Sequence, residues 1–326
     1  MKHTRMTRLL RRSALVLALM GLLAGSASAQ TTTTINLVAD EFEFGTAPTT
    51  VRMWGFATDT GQLCGAGGAW APGPTIEVDK STTTDLTINL RNCLAEPVSI
   101  VIPGQALKGP PVYDDVTGRV ASFGYEAAPG GTATYNWSGA ELKAGTYLYN
   151  SGSHPAKQVH MGLYGALVVN LAAATTTTPG EAYPGVIFDE DIVVLYSEID
   201  PDLHAAGEAA KPLNFKPKFF LINGSATGNT VLTDPTADLN SRVLLRFVNA
   251  GLKAYVPTLL GEDLDWVAED GNLYPFVKKS YSAFLGAGKT MDALWVPTTV
   301  DRHALYDRRL HTSFDGDPMG GLRAFL

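Results

Sequence analysis

Alternating apolar and polar positions dominate this chain and predict β-strands. Six such segments occupy the first half, each bounded by Gly, Pro, Asn or Asp: TINLVADEFEF, PTIEVDKSTTTDLTINLRN, PVSIVIPG, TATYNW, TYLYN and YGALVV. The second half continues with DIVVLYSEI, KFFLING, RVLLRFVNAG, LDWVAEDG and MDALWVP, and no long helical periodicity interrupts the series. Because successive side chains of a strand point to opposite faces, a period of two indicates sheets with one buried face. The pattern therefore predicts an all-β protein.

The strand pattern stops at Leu171 and gives way to AAATTTTPGEAYPG, a segment rich in Thr, Pro and Gly. We interpret this segment, residues 172–185, as a linker. The two sides of it resemble each other, since DLTINLRNCLAEPVSIVIPG is answered by RVLLRFVNAGLKAYVPTLLG. Such a repeat is typical of one ancestral domain used twice. We predict two antiparallel β-sandwich domains, residues 30–171 and 186–326.

The first residues have the form of an export signal. MKHTRMTRLLRR carries five basic side chains and no acid, SALVLALMGLLAG follows as an apolar run, and Ala-Ser-Ala ends at position 29. These features predict a signal peptide over residues 1–29. Neither this run nor any later stretch is long enough for a mature membrane anchor. We expect a periplasmic or secreted protein with no membrane span, and the pair Arg11-Arg12 leaves the export route open.

Charge and cysteine content narrow the partners and the compartment. Removal of the leader leaves 20 Lys and Arg against 32 Asp and Glu, a net charge of −12. This charge argues against nucleic acid or an anionic membrane as partner. Cys64 and Cys93 are the two cysteines of the chain. In an oxidising compartment, two cysteines are more often a bridge than metal ligands or nucleophiles, so we predict a Cys64–Cys93 disulfide.

Several motifs occur in an order and spacing that resemble a known family. The first half contains APGPTIEV, LTINLRN, PVSIVIPG, APGGTATYNW and GTYLYNSGSHP followed by MGLYGALVV, and the second contains FFLINGSA, LLRFVNAG, VAEDGNLY and AGKTMDALW. These segments are similar to the N-terminal and middle domains of the multicopper oxidases. The resemblance covers nearly all of the chain after the leader. It implies two cupredoxin-like Greek-key β-sandwich domains.

The resemblance also shows where this sequence departs from the family. Multicopper oxidases pass electrons from a blue-copper centre to a three-copper cluster held by His-x-His motifs. The first such motif should fall in SIVIPG, where Val101 and Pro103 stand, and the second in YNSG, where Asn150 and Gly152 stand. The family's blue-copper cysteine belongs to a third domain, which we do not find in this sequence. We therefore expect that most copper ligands are lost and that the protein is not an active oxidase by itself.

Five histidines remain after the leader, whereas a full set of copper sites needs roughly ten imidazoles. His154 and His160 flank the loop where cupredoxins carry ligands, and we consider them as tentative copper ligands. Met161 is next to His160, but adjacent strand residues point to opposite faces and do not easily share one ion. The alternative is that His154 is a turn residue and His160 a surface strand residue.

The other histidines have less support in the sequence. His204 lies among Glu198, Asp200 and Asp202, which could hold a hard cation loosely but which we interpret as a solvated acidic loop. His303 and His311 have no supporting motif. No nucleophile elbow, phosphate-binding glycine loop or spaced Cys/His zinc motif is present in the sequence.

Three functions remain open at this point. The first is a degenerate cupredoxin that acts as a structural or interaction module on an envelope protein partner. The second is a copper-binding or electron-transfer protein with one residual site. The third is oxidase activity that appears only with a partner chain. Substitution of the expected ligands favours the first, and the family resemblance favours the second.

Overall fold

The computed structural model describes residues 31–46, 49–206, 215–228, 230–232, 239–299, 301–313 and 320–326. The predicted signal peptide lies outside these residues. Among the described residues, the first half contains one short helix, α1 (Pro155–Met161), and nine strands: β1 (Thr31–Thr46), β2 (Thr49–Thr58), β3 (Ile76–Asp79), β4 (Thr83–Asn92), β5 (Val112–Tyr113), β6 (Val120–Ser122), β7 (Thr132–Ser138), β8 (Gly145–Asn150) and β9 (Tyr164–Asn170).

The remaining described residues also form mostly strands, with one further helix, α2 (Pro201–Ala206). The strands are β10 (Gly180–Tyr183), β11 (Val186–Phe188), β12 (Glu190–Ile199), β13 (Phe219–Ile222), β14 (Thr230–Val231), β15 (Val243–Asn249), β16 (Pro257–Leu259), β17 (Leu264–Glu269), β18 (Asn272–Ser280), β19 (Thr290–Trp295), β20 (Ala304–Asp307) and β21 (Arg323–Phe325). The prediction of an all-β protein is confirmed.

The first half is a sandwich of two sheets, in the orders β2-β1-β4-β7 and β3-β9-β8. Its core follows the predicted alternation, because Leu86, Ile88 and Leu90 of β4 are fully buried while the residues between them are partly exposed. Trp137 and Tyr135 of β7 fill the same core. Burial of these large apolar surfaces is the main stabilising contribution to this half.

The second half repeats this architecture with a six-stranded sheet, β13-β12-β15-β19-β17-β18, and a four-stranded sheet, β14-β21-β20-β16. The expectation of purely antiparallel sheets is corrected in both halves. β1 pairs in parallel with β4, and β12 pairs in parallel with β15. In each case a long connection returns the chain to the same end of the sheet, so that two distant strands run in one direction.

The segment interpreted as a linker is partly built into the fold. It contains β10, which pairs with β11 in a two-stranded sheet, and Ala182 and Tyr183 of β10 are buried. Thr/Pro/Gly composition did not indicate this strand. The domain boundaries themselves remain a prediction.

A shared apolar cluster joins the two halves. Phe44, Met53, Leu148 and Tyr164 come from the first half and pack with a matching set from the second half, Leu195, Ile199, Phe219, Leu221 and Val248. We call this group the joining cluster. Because side chains of the two halves pack against each other in the joining cluster, we expect each half to stabilise the other.

A buried arginine crosses the same junction beside the joining cluster. Arg246 of β15 is fully buried, and its Nε lies 2.6 Å from the Asp191 carboxylate. Its Nη1 donates to Thr146 Oγ1 at 3.0 Å and its Nη2 donates to Asn170 Oδ1 at 2.6 Å, and both of these acceptors belong to the first half. Asp292 lies 3.9 Å from Nη1 and is itself buried. The guanidinium thus holds strands of both halves in register.

The predicted disulfide is confirmed. Cys64 and Cys93 are bonded, with their Cα atoms 5.4 Å apart, and they close a loop with a sequence separation of 29. The bridge ties the glycine-rich loop after β2 to the end of β4. No helix among the described residues has the length and apolar character needed to cross a membrane.

Candidate functional site

The two segments in which the family resemblance places copper ligands are neighbours in space. Val101 N donates to Asn150 O at 2.9 Å, and Asn150 N donates to Val101 O at 3.0 Å. The alignment of SIVIPG and YNSG with paired metal-binding motifs is therefore geometrically consistent, since residues on two such facing segments can approach one another.

Around Val101, Asn150 and Gly152, a site that we call the closed junction, the space is filled by the backbone and by aliphatic side chains. A Cβ atom added to Gly152 would lie 2.6 Å from Val101 Cγ1 and 3.0 Å from Ser99 Oγ, which is too close for any side chain without movement of Val101. Asn150 donates through Nδ2 to the Ser151 carbonyl at 3.1 Å, whereas its buried Oδ1 has no partner. No imidazole fits at position 152 next to Val101.

Buried hydroxyl groups surround this closed junction. Ser99, Ser122 and Ser153 are fully buried, and their Oγ atoms lie 3.0 to 3.2 Å from one another. Ser151 Oγ donates to Gln158 Oε1 at 2.7 Å, and Gln158 Nε2 donates to Pro97 O at 2.9 Å. These neutral groups satisfy one another, and copper prefers imidazole and thiolate ligands. The residues at these positions therefore do not fit a copper cluster.

The two tentative ligands, His154 and His160, lie at opposite ends of α1. His154 is exposed and precedes the helix with a left-handed backbone, φ 39°. Hydrogen bonds from Thr117 lower the pKa of Asp114, and the charge of the nearby His154 adds to that effect. His160 is buried in the last turn and faces the second half. The alternative that His160 is a surface strand residue is corrected, because the loop forms a helix whose last turn packs against the second half. Copper binding by His154 and His160 remains a prediction.

The structure brings His160 together with a different histidine, His204 of α2. The two rings have centroids 5.5 Å apart and planes 16° apart. His204 Nε2 donates to the His160 carbonyl at 2.7 Å, and His160 Nδ1 donates to the Ala156 carbonyl at 2.6 Å. A carbonyl oxygen can only accept, so these bonds fix one N–H on each ring and leave the other nitrogen with a free lone pair. His204 Nδ1 is buried without a partner.

Burial keeps both imidazoles neutral. Burial lowers the pKa of His160. Burial, together with repulsion from the charge that His160 carries when it is protonated, lowers the pKa of His204 to about 4. The charge of Asp200 raises the pKa of both rings, but by less than burial lowers it. A pair of neutral imidazoles between the two halves was not predicted from the sequence, since the two residues are 44 positions apart and neither lies in a metal-binding motif.

Two of the three acidic residues around His204, Glu198 and Asp200, are buried, so the interpretation as a solvated acidic loop is corrected for them, whereas Asp202 is exposed. Glu198 is buried at the end of β12 and accepts backbone N–H bonds from Leu252 at 2.7 Å and Lys253 at 2.8 Å, besides a short bond from the Tyr255 hydroxyl. Burial raises the pKa of Glu198. Asp200 is buried and accepts bonds from the backbone N–H groups of residues 202, 203 and 216. Both side chains accept hydrogen bonds from backbone N–H groups and stabilise the local backbone.

The last two histidines form carboxylate pairs inside the second half. His303 Nδ1 lies 3.2 Å from Glu262, and its ring packs edge-on against Trp295. His311 Nδ1 lies 2.6 Å from the buried Asp307, whose other oxygen accepts the Val256 N–H at 2.7 Å. Among the described residues, no three or more His, Cys, Asp or Glu side chains come together as a metal-binding group.

Comparison with known proteins agrees with this architecture. Residues 53–174 match the family model of the multicopper oxidases. A search of curated proteins finds no match. Among solved structures, the blue copper oxidase from Nitrosomonas europaea aligns with a TM-score of 0.65 and 16% identity, over 90% of this chain and 85% of that one.

Two further solved structures show the same similarity. The multicopper oxidase mgLAC aligns with a TM-score of 0.66 and 18% identity over 91% of this chain and 86% of its own. The copper nitrite reductase from Nitrosomonas europaea aligns with a TM-score of 0.62 and 20% identity over 91% of this chain and 94% of its own. At these identities the likeness establishes the fold. The chain therefore has the two-sandwich cupredoxin fold, and its residues 53–174 are similar to the multicopper oxidase family.

Proposed function

We propose that this protein is an exported multicopper-oxidase relative that does not oxidise substrates by itself and acts as a structural or interaction module in the cell envelope. The observation that carries the proposal is the closed junction of Val101, Asn150 and Gly152. Here the position of a Gly152 side chain falls 2.6 Å from Val101 Cγ1, where the family resemblance calls for a copper-binding imidazole. A redox site at this place needs ligands that the local packing excludes.

Export fits the composition and the bridge. The leader sequence and the Cys64–Cys93 disulfide are both typical of an exported protein in an oxidising compartment. These features support our proposal that the protein acts in the periplasm or outside the cell.

The surface of the first half supports an interaction role. Around the β5–β6 hairpin, five large apolar side chains are exposed, with Val116 at the tip 93% exposed and Phe123 50% exposed; the others are Leu107, Tyr113 and Val120. Asp114 and Asp115 directly precede Val116. Clustered exposed apolar residues with a polar border are typical of a protein-binding surface. We propose that an envelope protein binds here.

The oxidase part of the proposal is tested on the purified chain from residue 30 to residue 326. We expect no intense absorption near 600 nm after loading with copper(II), a wavelength region diagnostic of copper–thiolate sites, and no oxygen consumption with a phenolic substrate. Oxygen consumption that depends on added copper would contradict the proposal.

The interaction part is tested by site-specific photocrosslinking in the periplasm of the expression host and of the native cell. A crosslinker at Val116 should give a discrete adduct in the native cell, and one at the exposed Thr134 of β7 should give none. Equal labelling from both positions, or none from Val116, would count against the hairpin as the binding surface.

A second candidate function is the binding of one metal ion, and the His160–His204 pair favours it. The free lone pair on each ring and the unpartnered His204 Nδ1 suit an imidazole-binding ion such as copper or zinc. Metal analysis after dialysis against Cu²⁺ or Zn²⁺ tests this candidate. Binding that is lost in His160→Ala and His204→Ala but kept in His154→Ala would support it, and equal retention in all three would reject it.

A further inference from the structure

The Cys64–Cys93 bridge joins an exposed loop to the end of an inner strand of the first sandwich. Cys64 lies in the glycine-rich loop after β2 and is exposed, whereas Cys93 directly follows β4 and is partly buried. A Cβ atom added to Gly65 or Gly67 would meet no atom within 4 Å beyond its chain neighbours, so the loop around Cys64 borders open space. A small thiol can therefore reach Cys64 while the sandwich stays folded.

An arginine side chain contacts both sulfur atoms of the bridge. Arg91 Nη1 donates to Cys93 Sγ at 3.2 Å and to Cys64 Sγ at 3.6 Å. Its Nε and Nη2 donate to the two carboxylate oxygens of Asp59, each at 2.7 Å, and this paired contact fixes the plane of the guanidinium. Because arginine stays protonated, the structure holds a cationic N–H donor against the bridge, closest to Cys93.

The loop is also held by hydrogen bonds that do not depend on the bridge. Arg91 Nη2 donates to the Gln62 carbonyl at 2.9 Å, and Gly65 N donates to Asp40 Oδ2 at 2.7 Å. These bonds lie on both sides of Cys64 in the sequence and connect the loop to β4 and β1. Opening of the bridge therefore leaves the loop attached to the sheet.

The surroundings of the two sulfur atoms give them different roles in an exchange reaction. A thiolate attacks one sulfur of a disulfide, and the other sulfur leaves faster when its thiolate is stabilised. Exposure favours attack at Cys64, and the closer contact with Arg91 favours Cys93 as the leaving group. The carboxylates of Asp59 and Asp40 are near and oppose a new negative charge, so stabilisation of the Cys93 thiolate depends on direct donation from Arg91.

We propose that the bridge is a site of thiol–disulfide exchange in the folded protein. The sulfur of an external thiolate bonds to Cys64 Sγ, the Cys64–Cys93 bond breaks, and its electron pair leaves with Cys93 as a thiolate held by Arg91. With a dithiol, the second thiolate attacks the reductant's own sulfur in the mixed disulfide and releases Cys64. Two electrons thus pass to the protein, the dithiol becomes a disulfide, and its two protons pass through solvent to the cysteines. The inference uses neither the closed junction nor the β5–β6 hairpin, so it is independent of the proposed function.

Trapping of the mixed disulfide tests which sulfur is attacked. Glutathione is added to the folded, oxidised chain from residue 30 to residue 326, and excess iodoacetamide stops the reaction. Trypsin cleaves after Arg52, Lys80 and Arg91, so the two cysteines fall on separate peptides for mass spectrometry. We expect glutathione on Cys64 and the alkyl group on Cys93. Glutathione mainly on Cys93, equal amounts on both, or no adduct without denaturant would overturn the proposal.

The rate of opening by dithiothreitol tests the role of Arg91. The rate should rise in proportion to the dithiothreitol concentration while circular dichroism stays unchanged. Arg91→Gln should open at least about threefold more slowly, because the leaving thiol loses its cationic donor. If Arg91 only tethered the loop, its loss would expose Cys64 and speed the reaction, so the direction of the change separates the two roles.

Arg242→Gln is the matched control, because Arg242 makes a similar paired contact with Asp189 in the second half. This variant should open at the rate of the unaltered protein. An unchanged or faster rate in Arg91→Gln, or a rate that no longer rises with dithiothreitol because unfolding limits it, contradicts the proposal. Circular dichroism checks that Arg91→Gln is folded, and the glutathione trap on the unaltered chain decides the matter if it is not.

Discussion

Replacement of Arg246 by methionine should destabilise the protein more than replacement of any exposed arginine. Methionine keeps much of the buried volume and removes the charge and the hydrogen bonds. The change leaves Thr146 Oγ1 and Asn170 Oδ1 without their donor, and it leaves Asp292 buried without its counter-charge. Tyr183 still donates to Asp292, but Asp292 Oδ1 already has no partner in the intact protein.

The expected loss in the free energy of unfolding follows from the charge that stays buried after Arg246→Met. Removing one partner of a buried ion pair costs about 3–5 kcal/mol, because the other charge stays desolvated. Arg246 is fully buried and Asp292 is 1% exposed, so the discount for solvent that applies to surface pairs is small for this pair, whereas the closer partner Asp191, at 2.6 Å, is 29% exposed. We therefore expect a loss of about 3–5 kcal/mol in the free energy of unfolding.

Arg242 offers a matched control just before the same strand. It pairs with Asp189 in a similar geometry, with Nη2 2.6 Å from Oδ1, but its side chain is 39% exposed. Arg242→Met should cost no more than about 1 kcal/mol, as is usual for exposed pairs. The contrast between the two variants isolates burial as the cause.

Urea denaturation followed by tryptophan fluorescence measures both variants, with circular dichroism as a second probe for intermediates. Arg246→Met/Asp292→Asn should lose less than the single variant Arg246→Met, since the second change removes the uncompensated charge. If Arg246→Met cost less than about 1 kcal/mol, the view of Arg246 as the polar tie between the halves would be refuted.

Three further predictions use other features of the fold. The pKa of His204 is lowered to about 4 in the folded protein, so the unfolded chain takes up a proton first as the pH falls. The free energy of unfolding should therefore drop by roughly 3 kcal/mol between about pH 6.5 and pH 4. Thermal melts over this range measure the drop, and His204→Gln should make it smaller. Cys64→Ser/Cys93→Ser opens a loop with a sequence separation of 29 and should cost roughly 3.5 kcal/mol, and a melting temperature insensitive to reductant would contradict this. Gly152→Ala should cost about 1–3 kcal/mol because its Cβ meets Val101, and adding Val101→Ala should recover most of the loss in the same melts.

Regular strands were predictable because their signal is local. The alternation in LTINLRN corresponds directly to the burial of Leu86, Ile88 and Leu90 on one face of β4. The disulfide was predictable for a similar reason, since two cysteines in a chain that is predicted to be exported have few other roles. In these cases the residues that set the structure lie within the segment itself or have a single candidate partner.

The candidate site was less predictable because its surroundings come from distant segments. Glu198 is buried by backbone donors at positions 252 and 253, and His204 is buried against α1. Nothing near either residue in the sequence indicates these contacts, so an acidic stretch was interpreted as solvated. The helix α1 was missed because seven residues, starting at Pro155, are too few to show a helical period.

The joining cluster has a consequence for the order in which the protein acquires its structure. Its first-half members, among them Phe44, Met53, Leu148 and Tyr164, emerge from the ribosome before Leu195, Phe219 and Val248 have been made. Until then these apolar side chains of the first sandwich lack the second-half residues that cover them. Synthesis therefore creates an interval in which a chaperone can bind these uncovered apolar side chains. Truncated chains that end within residues 172–185 should be captured by such a chaperone or should precipitate.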